Sequence, residues 1–337
     1  MIEIKECISK KDLRAFVKFP FELYKNNKFW VPPIISDELQ TFDKTKNPAF
    51  DNAEAYFYLA YKNDKIVGRI AAIINWAEVK NQQKSKVRFG WFDAVDDITV
   101  TELLLEKVLE LGLKNNLEYI EGPMGFSNLD KVGVLTEGFD QIGTMITWYN
   151  FPYYVNHFEK LGFITDKEYL ENKFPFSNVR LETFDKAQEL IKRRYKLKPL
   201  NFKKTKDVMP FADKMFDLFN ESYANLSSFV AISEREKAYF KKKYISFINP
   251  EYIKFVVDKD NNLIAFAIVM PSFSKALQKA NGKLFPFGFF HLLNARKYSK
   301  DVVFYLIGVH PDFQNKGVHA ILFKEMHTTF IEKGIQN

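Results

Sequence analysis

The sequence predicts an α/β protein in which one domain occurs twice in tandem. Three observations predict it. Two β-hairpins, Ala55–Ile74 and Tyr252–Met270, each follow a pair of helical stretches. Each hairpin leads to a further apolar strand and then to a helix. The order repeats as an internal duplication of about 170 residues, a period too long for a solenoid. Strands that pair locally, with helices between them to cover the sheet, give the α/β class.

The first half opens with an alternating strand, Ile2–Glu6. Lys11–Tyr24 carries Leu13, Phe16, Val17 and Leu23 at near-helical spacing, with Pro20 starting a new turn or kinking the helix. Trp30–Pro33 is extended, and Ile34–Phe42 is a second short helix. Ala55–Tyr61 and Ile66–Ile74, joined by Lys62–Lys65, make the hairpin. Val87–Val95 is the next strand. Thr101–Leu113 is an amphipathic helix with Leu104, Leu105, Val108, Leu109 and Leu111 on its apolar side, and Leu117–Ile120 is a strand. A long loop from Gly122 to Tyr154 holds five glycines. Loops of that length in compact domains are usually functional or mobile. Asp140, Asn150, Tyr153 and Tyr154, with Glu137, are its candidates for substrate contact; the plainer reading is a cover over the sheet edge. Phe158–Phe163 ends a helix at Gly162, with a strand expected after it.

Glu182–Tyr195 is a helix and Lys198–Phe202 a strand. Around them lies a basic run, Lys192, Arg193, Arg194, Lys196, Lys198, Lys203, Lys204 and Lys206, with no acid among those positions. It reads as a solvated face or as a contact for polyanions. Phe211–Leu226 and Glu234–Phe247 are helical, and the second hairpin follows. An insert, Ser274–Lys297, has an aromatic centre that includes Leu284, Phe285, Phe287, Phe289, Phe290 and Leu293. Basic residues flank it. That pattern suits an interfacial segment or the wall of an acyl or acceptor channel, with Phe287, Phe289 and Phe290 as substrate contacts; the alternative is a helix packed on the first half. The chain then runs through the apolar strand Val302–Val309 into Pro311, a polar loop, and a helix from Val318. The N–H groups of a helix's first turn have no partner within the helix and favour a phosphate there. Gly317 lets the backbone approach such a group closely, and Lys316 can add charge.

Gln314-Asn315-Lys316-Gly317-Val318-His319, after a strand ending Val309-His310-Pro311, resembles the acyl-CoA-binding motif of the GNAT superfamily, the CoA-dependent N-acyltransferases. That motif reads Gln/Arg-x-x-Gly-x-Gly/Ala after Val-x-Pro. Val309, Pro311, Gln314 and Gly317 fit, and so does the strand–loop–helix context. His319 departs: it stands where a small residue is usual, so its side chain must turn away or meet the phosphates. The resemblance implies two tandem GNAT-like domains, each a mixed, mainly antiparallel sheet flanked by helices. Residues 1–177 form a degenerate copy, 178–200 a connecting helix and boundary, and 201–337 the acyl-CoA-binding copy, truncated because Asn337 falls where a fifth strand should begin. It implies acetyl-CoA or a longer acyl-CoA as donor, held by Ile307, Val309, Gln314, Asn315, Lys316, Gly317, Val318 and His319. The Val309 N–H would polarise the thioester carbonyl. His310, just past the strand, is the candidate catalytic base. In the first copy Asp93–Asp97 replaces the phosphate loop, and three acids there would repel a pyrophosphate. Phe158 stands where many members carry a tyrosine proton donor.

Composition narrows the rest. The 35 Phe and 16 Tyr of 337 residues are residues that A/T-rich coding favours, so that bias need not be functional. One cysteine, Cys7, rules out an internal disulfide framework and suggests a reducing compartment. One Cys and five scattered His give no zinc spacing, and no metal is expected. The N-terminus does not read as a signal peptide, and no apolar stretch approaches the roughly 20 residues that span a bilayer. The expected location is cytoplasmic, with a membrane-peripheral alternative. The leading expectation is direct transfer of an acyl group from CoA to a small-molecule or lipid amine. Its alternatives are a long-chain N-acyltransferase acting on a lipid amine beside an anionic membrane, and a non-catalytic CoA-binding or scaffold protein. Aminoacyl-tRNA-dependent peptidyl transferases also have tandem GNAT-like domains, but the intact Gln314–Gly317 argues against them. No nucleic acid is expected, since no recognition motif accompanies the charge.

Overall fold

Ser9 starts the first helix. Its hydroxyl accepts the Asp12 N–H while the Asp12 carboxylate accepts the N–H of Ser9, a capping box that opens α1 (Lys10–Leu23) directly behind strand β1 (Ile2–Glu6). In this computed structural model, residues 1–127, 129–180, 182–226, 229–245 and 247–337 are described. They divide into two units, Met1–Leu170 with Ser274–Leu292, and Glu171–Phe273 with Leu293–Asn337.

In the first unit α2 (Ile35–Thr41) follows α1, and Pro20 sits inside α1 without ending it. The hairpin is β2 (Ala53–Lys62) and β3 (Lys65–Asn75), turned at Asn63 and Asp64, both at positive φ. Then come α3 (Trp76–Asn81), β4 (Lys86–Ala94), α4 (Ile98–Lys114), β5 (Tyr119–Glu121) and α5 (Tyr153–Lys160). The sheet order is β1-β2-β3-β4-β5, antiparallel except for the parallel pair β4/β5. β3 shows the two-residue period plainly. Ile70, Ala72 and Ile74 pack with α4 and α5, whereas Ala71 and Ile73 pack with Phe16 and Val17 of α1. Both faces of the sheet are therefore covered. Three buried ions bridge α3 and β4: Glu78 pairs with Lys86 at 2.9 Å and with Arg88 at 2.6 Å. Gly162 does end α5, at φ 82, but the strand expected after it does not form. Residues 163–175 are irregular, with Ile164 and Leu170 exposed and so without the burial that would hold a strand.

The second unit begins with α6 (Glu182–Tyr195), whose bounds match the expectation, and β6 (Lys198–Asn201). α7 (Thr205–Val208), α8 (Ala212–Tyr223) and α9 (Glu234–Phe240) follow. The expected helix Glu234–Phe247 is interrupted: Lys241–Ile245 is a π turn, and Ser246 lies outside the described residues. The second hairpin is β7 (Ile253–Val257) and β8 (Leu263–Pro271). Then come α10 (Ser274–Ala280), α11 (Gly288–Tyr298), β9 (Val302–Val309) and α12 (His319–Lys333). The sheet order is β6-β7-β8-β9, all antiparallel. Ala265, Ala267 and Val269 of β8 pack with Ile321, Leu322 and Met326 of α12. Gly334, at φ 63, closes α12. The element order of the first unit thus recurs, with β9 and α12 in the places of β4 and α4.

The expected boundaries, 1–177, 178–200 and 201–337, compare with a division at 170/171 that leaves α6 in the second unit and assigns 274–292 to the first. α10 is tied there by polar bonds. Ser274 Oγ donates to Gly143 O at 2.8 Å, and Gln278 Nε2 donates to the carbonyls of Lys28 and Trp30, each at 2.9 Å.

Candidate functional site

The register of β9 on β8 decides what the motif strand offers. Val309 stands opposite Ala265, and the next pair is closed by His310 N–H donating to Ile264 O at 2.8 Å. In an antiparallel ladder, hydrogen-bonded and non-bonded pairs alternate. Val309 and Ile307 are therefore non-bonded positions, with their N–H and C=O groups turned to the side of β9 away from β8. Two observations agree with this. Tyr223 O–H on α8 donates to Ile307 O at 2.8 Å, and Gln314 Nε2 donates to Val309 O at 3.2 Å. β9 ends the order of its sheet, so the Val309 N–H faces an open edge. Gly308 between them lets α8 approach: a Cβ would lie 2.3 Å from Phe266 Cε1 and 2.8 Å from Ser222 Oγ.

The loop that follows is a short 3-10 turn, Pro311–Phe313, and then Gln314–Val318. Asn315 at φ 58 and Gly317 at φ 78 are both left-handed, a conformation that asparagine and glycine enter most readily. The turns bring the chain to the start of α12, which has no side-chain cap. Ala320 N–H and Ile321 N–H close back on Gly317 O and Val318 O. Val318 is buried in the core beneath α12, so only its backbone can serve a ligand. His319 is exposed and its ring lies edge-on to Phe323, 5.8 Å away. Its ring thus lies along the surface of α12. Lys316 lies over the rings of Tyr195 and Phe313 at 5.7 and 5.3 Å. Arg194 is 5.3 Å from the same Tyr195 ring. α6 thus carries part of the basic run to the motif loop, and Ile191 of α6 is the side chain nearest a Cβ at Gly317.

His310 sits at the end of β9 with its Nδ1 accepting the Asp312 N–H at 3.2 Å. In the neutral ring Nε2 then carries the proton. Nε2 faces the Glu221 carboxylate of α8 at 3.6 Å. In this arrangement the accepting lone pair of His310 is engaged by the backbone, and the open acceptor beside it is Glu221. Sequence reading missed Glu221 and Tyr223. Both belong to an ordinary amphipathic helix, and nothing local marks them.

The structure brings Ile307, Val309, His310 and Gln314–His319 together. The loop candidates belong to the first unit and have other work. Asn150 is buried and its amide bonds both the N–H and the C=O of Leu135. Tyr153 O–H donates to Ala94 O at 2.7 Å, and the buried Tyr154 hydroxyl accepts the Ala94 N–H at 2.8 Å. Burial and the Asp96 and Asp93 carboxylates push the Tyr153 phenol well up; burial and Asp93 do the same to Tyr154. The two tyrosine hydroxyls secure the end of β4, and the Asn150 amide ties the long loop at Leu135. Asp140 is exposed. The acids of the first copy are committed too: Asp93 to Arg69 and Tyr24, Asp97 to Lys62 and the Thr99 N–H, and Asp96 to His157. Phe158 is buried against Phe89 and Phe92. Phe287, Phe289 and Phe290 lie at the surface of the first unit. They are 69%, 45% and 64% exposed, and Phe285 beside them is 81% exposed. Among the described residues no group of His, Cys, Asp or Glu could hold a metal ion, and no helix is long and apolar enough to cross a membrane.

No protein-family model matches the chain. Over 323 residues it is 27% identical to the protein YghO of Escherichia coli (strain K12), covering 95% of this chain and 81% of that protein. Over 314 residues it is 24% identical to the bacterial ceramide synthase of Caulobacter vibrioides (strain NA1000 / CB15N), covering 90% of this chain and 79% of that one. Among solved structures it resembles a fungal multi-domain GH3 beta-N-acetylglucosaminidase described as having a GCN5-related glucosamine N-acetyltransferase region. The TM-score is 0.50 at 9% identity, over 100% of this chain and 35% of that chain, a likeness of fold.

Proposed function

Starting from a chain that carries the GNAT fold twice, we propose an acyl-CoA-dependent N-acyltransferase whose second copy holds the donor. One observation carries the reading: an outward Val309 N–H leads directly into a loop with two left-handed residues that opens α12. The helix start suits the pyrophosphate, Lys316 would add a cation, and the outward Val309 N–H would donate to a thioester oxygen. A neutral amine attacks the thioester carbon, the C–N bond forms, the C–S bond breaks, and the amine's proton is passed on while the thiolate leaves. Glu221 is the proton acceptor in this scheme, and His310 holds its carboxylate in place.

The acceptor we propose is a lipid amine. The relative named as a ceramide synthase supports this, because a ceramide is an N-acylated long-chain amino alcohol. So does the aromatic turn that starts α11, where Phe285, Phe287 and Phe290 stand exposed beside Lys283. Aromatic residues edged by cations suit the boundary of an anionic bilayer. This face, rather than a channel, is where the lipid would be met. Thiol release from acetyl-CoA and palmitoyl-CoA tests the proposal, with a long-chain amino alcohol in anionic vesicles or a small soluble amine as acceptor. The expected result is release that needs both palmitoyl-CoA and the lipid amine, with Glu221→Gln lowering turnover more than it lowers donor affinity. No release with either acceptor, together with no binding of either thioester, would remove the reading.

A further inference from the structure

The first unit contains a pocket that the acyl-transfer reading does not use. Its walls come from α1, α2 and the segment before it, β3, β4 and the long loop, and it encloses about 30 Å3. That is room for about two water-sized groups, enough for the tip of a ligand whose body lies outside. Most polar groups in its wall are matched. Asp93 Oδ1 accepts from Tyr24 O–H at 2.8 Å, and Asp93 Oδ2 accepts from Arg69 Nε at 2.7 Å. Arg69 Nη1 donates to Phe16 O at 3.0 Å. Glu38 accepts from Trp91 Nε1, and the hydroxyls of Thr144 and Thr147 bond each other at 2.8 Å.

Two donors are left. Trp148 Nε1 is buried and has no hydrogen-bond partner. Lys131 has no carboxylate within ion-pair distance among the described residues, and its Nζ lies over the Trp148 ring, 5.3 Å from the centroid. A buried donor without an acceptor is destabilising by about 1–3 kcal/mol, so Trp148 Nε1 marks a place for an acceptor, with the half-buried Lys131 beside it. Both come from the same glycine-rich loop, which is pinned on either side. Arg88 holds Gly125 O at 3.0 Å, and Gly143 N–H donates to Phe29 O at 2.8 Å.

We propose that this pocket binds a carboxylate group, held by Lys131 and Trp148 Nε1. Hydrogen bonds of about 2.9 Å from each donor can be met by the two oxygens of one carboxylate. Charge favours a carboxylate over a phosphate. Arg69 and Lys131 balance Asp93 and Glu38 in the wall, so a monoanion leaves one negative charge in excess and a dianion leaves two. Burial, the largest influence on Lys131, pushes its pKa down, as expected for an ammonium that lacks a close counter-ion. The site lies within the first unit and stands whether or not the second unit transfers acyl groups.

Indole N–H resonances of the full chain, 15N-labelled at its four Trp, test this directly, with the Trp148 signal assigned by Trp148→Phe. Sodium acetate is titrated against sodium chloride and inorganic phosphate at matched ionic strength. The expected result is a saturable shift of the Trp148 signal with acetate, weaker with phosphate and absent with chloride. Trp76, bonded to Glu54, serves as the unmoved reference. Lys131→Met should abolish the shift and Lys131→Arg should retain it, with the Trp76 signal showing that both fold. No shift beyond the chloride control, or an equal shift in Lys131→Met, overturns the site. A stronger response to phosphate overturns the carboxylate assignment.

Discussion

Gly317→Asp set against Gly317→Asn separates charge from shape at the motif loop. Both side chains branch alike and meet Ile191 Cδ1 alike, 2.8 Å from the Cβ. Both enter the left-handed region that φ 78 demands more readily than most residues. Their shared strain is roughly 1–2 kcal/mol, so the two variants should melt together. They differ by one charge. If a diphosphate rests on the N–H groups of residues 317–319, the Asp carboxylate lies about 5 Å from it. At an effective dielectric of about 20, two unit charges at that distance repel by about 3 kcal/mol, which is about 100-fold in Kd. Competition calorimetry with CoA reads the ratio directly, and it should shrink as salt is added. Equal affinities in two folded variants would refute the placement of phosphate on this loop.

Glu78→Ala leaves Lys86 and Arg88 buried without their shared carboxylate, and urea unfolding should show a loss of about 3–5 kcal/mol. Gly308→Ala drives a Cβ into Phe266; the expected loss is about 1–3 kcal/mol, partly restored by Phe266→Leu. The Cys7 thiol, pushed up to about 12 chiefly by burial, should resist a disulfide reagent at pH 8 until denaturant is added; rapid native reaction would contradict that burial. His327 is held below its ordinary 6.5, by burial first and Lys324 second. The unfolded chain then binds its proton more tightly, so this contribution to stability is full above pH 6.5 and declines as pH falls towards the folded value. A His327→Phe chain should lack that acid-side slope in thermal melts.

The hairpins and most helices were legible because each depends on a local pattern. Asn63-Asp64 is a turn signal in any context, and Glu182–Tyr195 has the spacing of one apolar stripe. What escaped depends on partners distant in sequence. The three acids at and just past the end of β4 were visible as a phosphate-repelling run, but Asp93 answers to Arg69 and Tyr24, which no spacing rule connects. Tyr153 and Tyr154 read as candidates for substrate contact because they close a long loop; their hydroxyls are taken by the two polar groups of Ala94. The π turn at Lys241–Ile245 leaves no trace in the helical period of a stretch so rich in lysine. In the motif, the sequence marks the loop, but the direction of the Val309 N–H depends on the strand register, which is set by pairing with β8. The aromatic insert reads from sequence as an interfacial segment, a channel wall or a packed helix; in the structure α10 belongs to the first unit and the phenylalanines after it are exposed.

The segment 274–292, which interrupts one unit to finish the other, has a consequence for how the protein is made. A nascent chain released at Leu170 is missing the piece whose Ser274 and Gln278 hold Gly143, Lys28 and Trp30. The first unit is therefore completed only after most of the second has left the ribosome, and β9 and α12 emerge after that piece. Gene fission at the midpoint would strand that piece on the wrong polypeptide. One unit's staple is thus encoded inside the other, so the first half of the chain does not carry a whole unit by itself.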